Sequence, residues 1–174
     1  IDMLLPHDQM AAIEKRLRLF VLRSKVAVSS VPDRRMLGVA GPLAREAHAL
    51  RDHTADGATW LTLAGAHPRC LVAGSDAALA AVADRLRERL LPGGWPAWHL
   101  ACVMAGEPLL AGEVRERYIP QMLDLDRLGA VSFDKGCYPG QEIVARTQYL
   151  GRLKRELRLA RLPGKAPAPL TALL

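Results

Sequence analysis

Helical and strand-like hydrophobic patterns alternate along residues 6–105, and the connections between them are short. Apolar residues recur at helical spacing in the helical segments and alternate with polar residues in the strand-like ones. This order is typical of sheets covered on one face by helices, so we predict an α+β fold. The predicted elements are a helix over 6–22, strands over 25–29 and 36–40, a helix over 42–52, strands over 59–63 and 69–73, a helix from 75 to about 91, and a strand that takes in 98–101.

The composition is that of an ordinary globular protein. The chain has 174 residues, of which 50% are hydrophobic and 24% charged, a balance that excludes an intrinsically disordered protein. The N-terminus has no signal peptide, and no apolar run approaches the ~20 residues of a membrane span, so we expect a soluble protein without membrane partners. Since the chain begins at Ile1 without a Met and stops in an apolar run, we expect it to be a piece of a longer protein.

The cysteines and histidines argue against a metal or disulfide scaffold. Cys70, Cys102 and Cys137 are odd in number and at least 32 residues apart, which excludes a C-x-x-C pair. The five histidines form no H-x-x-x-H pair. We therefore predict no metal site and a reducing, cytoplasmic environment.

The segment 134–142 is the most informative for chemistry. Gly136 and Gly140 permit backbone angles closed to other residues, so the loop can turn sharply beside a ligand. A helix is predicted to begin near Gln141, which places Cys137 just ahead of its positive end. That end and the Lys135 ammonium favour the thiolate over the thiol, as in reactive cysteines. Cys137 could equally be a small buried hydrophobe in a turn, and local chemistry does not decide between the two.

Residues 135–142 match the K-G-C-Y-x-G-Q-E signature of the YgfZ family, with Pro139 at the free position. YgfZ proteins form the folate-binding branch of the aminomethyltransferase (glycine cleavage T-protein) superfamily. The resemblance extends over nearly the whole chain, through the flanking segments 20–26, 38–41, 119–121, 128–133 and 143–147.

The resemblance implies a domain organisation. Residues 1–150 would form an aminomethyltransferase-like folate-binding domain of ferredoxin-like-related β/α units, lacking its N-terminal part. Residues 151–174 would form a linker and the first strand of a truncated C-terminal β-barrel. Similar proteins bind tetrahydrofolate and support the assembly or repair of iron–sulfur clusters in client enzymes, including one that thiolates tRNA.

The resemblance also implies the site residues. Cys137 matches the functional cysteine, Lys135 lies beside it at the folate pocket, and Trp98 matches a tryptophan implicated in folate contact. A second such tryptophan belongs to an N-terminal stretch that this chain lacks. From the residues alone, Trp98 could instead be a core tryptophan, and Tyr138 could stack on a ligand or pack its ring in the turn.

Two other functions stay open at this point. A folate-dependent aminomethyltransferase is one. The cysteine motif belongs to the YgfZ branch instead, and we do not expect a classical enzyme.

An RNA-binding module is the other. Residues 145–165 hold seven basic residues against Glu156 alone. A charge run is more often a solvated face, and no RNA-binding signature accompanies it, so the sequence does not predict direct nucleic-acid binding.

Overall fold

The computed structural model describes residues 1–23, 25–46, 57–110, 116–164 and 167–168. Within these ranges, no helix has both the length and the apolar composition needed to cross a bilayer. The elements are helices α1 (Met10–Arg18), α2 (Asp76–Leu86), α3 (Gly94–Met104) and α4 (Gln141–Leu150), strands β1 (Arg35–Ala40), β2 (Thr59–Leu63) and β3 (Arg69–Gly74), and 3-10 helices at His7–Gln9, Pro42–Arg45 and Pro120–Leu123.

The three strands form one antiparallel sheet in the order β1-β3-β2. Val39 of β1 lies opposite Cys70 of β3, and Trp60 of β2 lies opposite Val72. Because side chains alternate between the faces of a strand, this register puts these four side chains on one face of the sheet. The three strand predictions within 36–73 are confirmed.

Helix α2 covers that face. Its start is fixed by Ser75, whose Oγ accepts a hydrogen bond from the Ala78 backbone N–H at 3.2 Å. Apolar residues at helical spacing then face the sheet. The resulting core comprises Val39, Leu43, Ala44, Ala58, Trp60, Cys70, Val72, Ala78, Val82 and Leu86.

Helix α3 contacts the opposite face of the sheet. Gly38 points away from the α2 side because it alternates with Val39, and the ring of Trp98 lies directly against it. A Cβ atom at Gly38 would lie only 2.6 Å from Trp98 Cζ3. Helices therefore touch both faces of the sheet, where the sequence predicted one.

Two predicted strands are wrong. Residues 98–101 belong to α3, because Leu100, Ala101 and Met104 are good helix formers and show no strand alternation. Residues 25–29 have no regular structure, since no described strand offers them a partner, and the Val28 carbonyl instead accepts from Arg18 Nη2 at 3.1 Å.

The remaining predictions of helices and strands differ in how far the structure tests them. The first helix is confirmed but ends at Arg18 rather than residue 22. The helix predicted over 42–52 begins as the 3-10 helix at Pro42, and its residues 47–52 lie outside the described residues. Residues 151–164 have neither helix nor strand, so the predicted first strand of a barrel stays a prediction.

Candidate functional site around Cys137

The Cys137 loop ends in a tight turn at the start of α4. Gly140 is left-handed with φ +87°, and the Gln141 backbone N–H donates to the Tyr138 carbonyl at 3.1 Å. Glycine adopts this conformation without strain, so the predicted role of Gly140 is confirmed. Gly136 has no such backbone angle, and a Cβ atom there would meet open space, so the geometry does not require glycine at 136.

The three thiols lie in different surroundings. Cys70 is fully buried in the sheet, and burial raises the pKa of its thiol to about 11. Cys102 is half-buried on α3. Burial raises the pKa of its thiol, and the Glu107 carboxylate raises it further against the opposing effect of Arg69. Cys137 is exposed. Of the two possibilities left open by the sequence, the structure therefore excludes the buried hydrophobe.

Lys135 and Tyr138 are brought together across the loop. The Lys135 ammonium lies 4.5 Å from the centroid of the Tyr138 ring, a cation–π contact. Lys135 is exposed and Tyr138 half-buried. The contact holds the two ends of the Lys135–Tyr138 segment together and leaves the thiol between them accessible.

Trp98 lies elsewhere. It is half-buried on α3 against Gly38, and among the described residues no hydrogen bond, ion pair or ring contact joins it to the Cys137 loop. Trp95 of the same helix stacks on His99 with ring centroids 6.1 Å apart. The predicted site residues thus fall into a loop cluster of three and a separate tryptophan.

Gln121 is a buried residue whose role the sequence did not predict. Its Nε2 donates to the Val144 carbonyl at 2.7 Å, which ties the 3-10 helix Pro120–Leu123 to the first turns of α4. Its Oε1 is buried without a partner. Gln121 supports the helix that follows the Cys137 loop. The segment 119–121 belonged to the resemblance, but a glutamine in a loop-rich stretch gives no sign of burial.

Arg69 is a second buried residue whose role the sequence did not predict. Its side chain is fully buried where β3 begins, forms an ion pair with Glu107, and donates to the Ala64 carbonyl at 2.6 Å. These contacts fasten the region after α3 to the β2–β3 turn. An arginine at the edge of a strand pattern usually reaches solvent, so the sequence gave no indication of this role.

An open cavity of about 520 Å³ lies between α1 and the stretch 116–125. Its volume is within the range of small-molecule sites. Its lining is mainly apolar and contains none of the four predicted site residues; it includes Ile13, Lys15, Arg16, Leu110, Tyr118 and Leu123. This cavity therefore does not bring Trp98, Lys135, Tyr138 and Cys137 together.

A metal site is not apparent in the described part of the chain. There, no three side chains of histidine, cysteine, aspartate or glutamate lie close enough together to hold an ion. The chemistry of the loop is therefore that of a single accessible thiol beside an ammonium and a phenol ring.

Comparison with known proteins identifies the family. No protein-family model matches the chain. A protein of Colwellia psychrerythraea named tRNA-modifying protein YgfZ is 40% identical over 95 residues, which cover 55% of this chain and 29% of that protein. Proteins of the same name from Shigella boydii serotype 4 and Escherichia coli O139:H28 are each 34% identical over 172 residues, covering 87% of this chain and 52% of each relative. The chain belongs to the YgfZ family.

The resemblance seen in the cysteine motif is thus confirmed at the level of family. The chain spans about half the length of the relatives from Shigella and Escherichia. Within this YgfZ chain, the signature lies in the exposed loop before α4, and the tryptophan predicted to contact folate lies on α3.

Proposed function

We propose that this YgfZ chain is part of a cytoplasmic, folate-binding accessory protein that supports iron–sulfur cluster assembly or repair in client enzymes, including tRNA-modifying ones. Its relatives carry the name tRNA-modifying protein, which supports the broader role in tRNA modification. Folate and iron–sulfur enzymes are part of this proposal only because the family resemblance implies them. Cys137 is the functional residue of the proposed protein.

The observation that carries the proposal is the exposure of the Cys137 thiol. It is the one exposed cysteine of the three in the chain, and it lies in the family's signature. A thiolate is the form of cysteine that acts as nucleophile and that ligates iron–sulfur clusters. An accessory protein that works on other enzymes needs such a group at its surface, whereas a thiol held in the core serves only packing.

The folate contacts are proposed for two separate places. Tyr138 and Trp98 offer aromatic surface for a flat pterin, and Lys135 offers a cation for the carboxylates of a folate. Because one face of the Trp98 ring is already against Gly38, only its remaining surface is available to a ligand. Tetrahydrofolate would supply a one-carbon carrier.

The fold and domain assignments remain part of this proposal. Residues 1–150 would correspond to the aminomethyltransferase-like domain, and residues 151–174 to the linker and first strand of a β-barrel. The small antiparallel sheet with helices on both faces agrees with an α+β domain without distinguishing that superfamily from others.

Calorimetric titration of the full-length protein with tetrahydrofolate tests the folate proposal. We expect binding, a loss of about tenfold in affinity for Trp98→Ala, and a smaller loss for Trp98→Phe, because the phenyl ring keeps part of the aromatic surface. Trp95→Ala, in the same helix, is the matched control and should leave the affinity unchanged. Equal affinity for wild type and Trp98→Ala would remove Trp98 from the site, and no heat of binding would refute the folate assignment.

A further inference from the structure

A run of exposed basic side chains begins on α4 and continues along residues 152–161. We call it the basic strip, and it comprises Arg146, Arg152, Lys154, Arg155, Arg158 and Arg161. We infer that the basic strip, together with Tyr149, binds a single-stranded segment of RNA through its phosphates and one unpaired base. This inference goes beyond the proposed function, which requires no direct contact with RNA, and departs from what the sequence alone predicted.

All six basic residues of the strip are exposed, so their cations face solvent. Leu153 and Leu157 of the same segment are half-buried, whereas Leu159 and Leu162 are 57% and 45% exposed. The segment therefore packs on the protein in part. A partly packed segment gives up less conformational freedom than a free chain when it binds a polyanion.

The charges of the basic strip are almost uncompensated within the segment. Glu156 is the single acidic residue between 146 and 161, and it pairs with Arg158. Arg146 lies one turn after Glu142 on α4, yet the ion pairs of the described residues include none between these two. The strip thus keeps a local excess of positive charge in a chain whose net charge is already +6.

Tyr149 adds an exposed aromatic ring to the cations of the basic strip. It is 71% exposed and lies three residues after Arg146, so the two side chains are neighbours on the surface of α4. The Phe133 ring contacts it edge-on, with centroids 6.4 Å apart and the planes at 69°. This contact steadies the tyrosine ring, which still offers aromatic surface to solvent.

An exposed aromatic ring beside a row of cations is the arrangement used to hold single-stranded nucleic acids. The cations follow the phosphates while an unstacked base lies on the ring. An anionic membrane would meet the cations equally well but carries no ring to stack on Tyr149. A folate polyglutamate carries one pterin at its end, whereas RNA carries a base beside every phosphate. Arg146, the first residue of the strip, is five residues after Gln141 on α4 and lies about 8 Å along the helix from the end of the Cys137 loop.

Fluorescence anisotropy of the full-length protein with a labelled single-stranded RNA oligonucleotide, at several salt concentrations, tests the inference. For Arg152→Glu/Arg155→Glu we expect a loss of at least about tenfold in affinity. The slope of the logarithm of affinity against the logarithm of salt concentration should become less steep by roughly 1.4, because each lost phosphate contact removes about 0.7. The matched control, Lys15→Glu/Arg16→Glu on α1, changes the net charge equally and should lose less than about threefold.

Tyr149 gives the independent arm of the same experiment. Tyr149→Ala should weaken binding about fivefold or more without changing the salt dependence, and Tyr149→Phe should bind like wild type. Trp95→Ala, another exposed aromatic residue, is the control. Equal losses in the two charge-reversal variants would overturn the inference in favour of a net-charge effect. Wild-type affinity in Tyr149→Ala, or displacement of the RNA by polyglutamate at equal charge, would overturn the assignment to RNA.

Discussion

Burial distinguishes the three thiols of this chain more sharply than their neighbours in sequence do. The Cys70 sulfur lies at the centre of the sheet, where a thiolate would have neither water nor a cation to stabilise it, and the pKa of this thiol is about 11. Partial burial raises the pKa of the Cys102 thiol, against the opposing effect of Arg69. Cys137 is exposed, so its sulfur is accessible to reagents in solution.

Labelling with iodoacetamide tests this difference at the level of single residues. At neutral pH we expect Cys137 to be alkylated about tenfold faster than Cys70 or Cys102, because reaction requires an accessible thiolate. Native Cys70 should stay slow until the pH approaches 11, since a raised pKa means that the thiolate forms only at higher pH. In concentrated urea the three rates should converge. Labelling of native Cys137 no faster than the other two would make it a structural cysteine.

At the level of elements, the contact between β1 and α3 depends on the absence of a side chain at Gly38. Trp98 Cζ3 and Cδ2 would lie 2.6 and 2.7 Å from a Cβ atom at that position, well inside van der Waals contact. These atoms belong to the rigid indole ring of Trp98, so the ring or helix α3 has to move if a methyl group is added at residue 38.

We therefore expect Gly38→Ala to lower the free energy of unfolding by about 1–3 kcal/mol, the usual cost of overpacking. Urea denaturation followed by circular dichroism measures it. In Gly38→Ala/Trp98→Ala the clash is absent, so the added cost of the glycine substitution should largely disappear. A single variant as stable as wild type, or costs that simply add in the double variant, would contradict the contact.

Sequence patterns predicted the elements whose signals are local. The polar Ser75 and the apolar period after it are sufficient for α2, and short apolar segments bounded by turns indicate the three strands. Residues 98–101 are a short, mainly apolar run, and such a run does not distinguish a strand from a helix. Residues 25–29 required a partner strand, which local sequence cannot supply.

The candidate site, like the fold, was predictable from the sequence where its signals are local. The glycines and the motif indicated an irregular loop ahead of a helix, and the exposed Cys137 agrees with that. The separation of Trp98 from the loop depends on how α3 packs on the sheet, and the burial of Gln121 depends on its bond to Val144. Both are long-range contacts that no spacing along the chain encodes.

At the level of the whole molecule, the functional features occupy different places. The accessible thiol lies just before α4, the basic strip begins midway along that helix and continues beyond it, and the half-buried tryptophan lies on the sheet. The chain also spans about half the length of its Shigella and Escherichia relatives. The central claim for this chain is that Cys137 is the thiol on which its function depends.

Complementation measures that claim most directly. The full-length protein would be expressed in a strain that lacks its own YgfZ protein, and thiolated tRNA would be quantified. We predict that wild type and Cys102→Ala restore the thiolated tRNA, because Cys102 serves packing, and that Cys137→Ala, made at equal protein level, does not. Restoration by Cys137→Ala to the wild-type level would contradict the account.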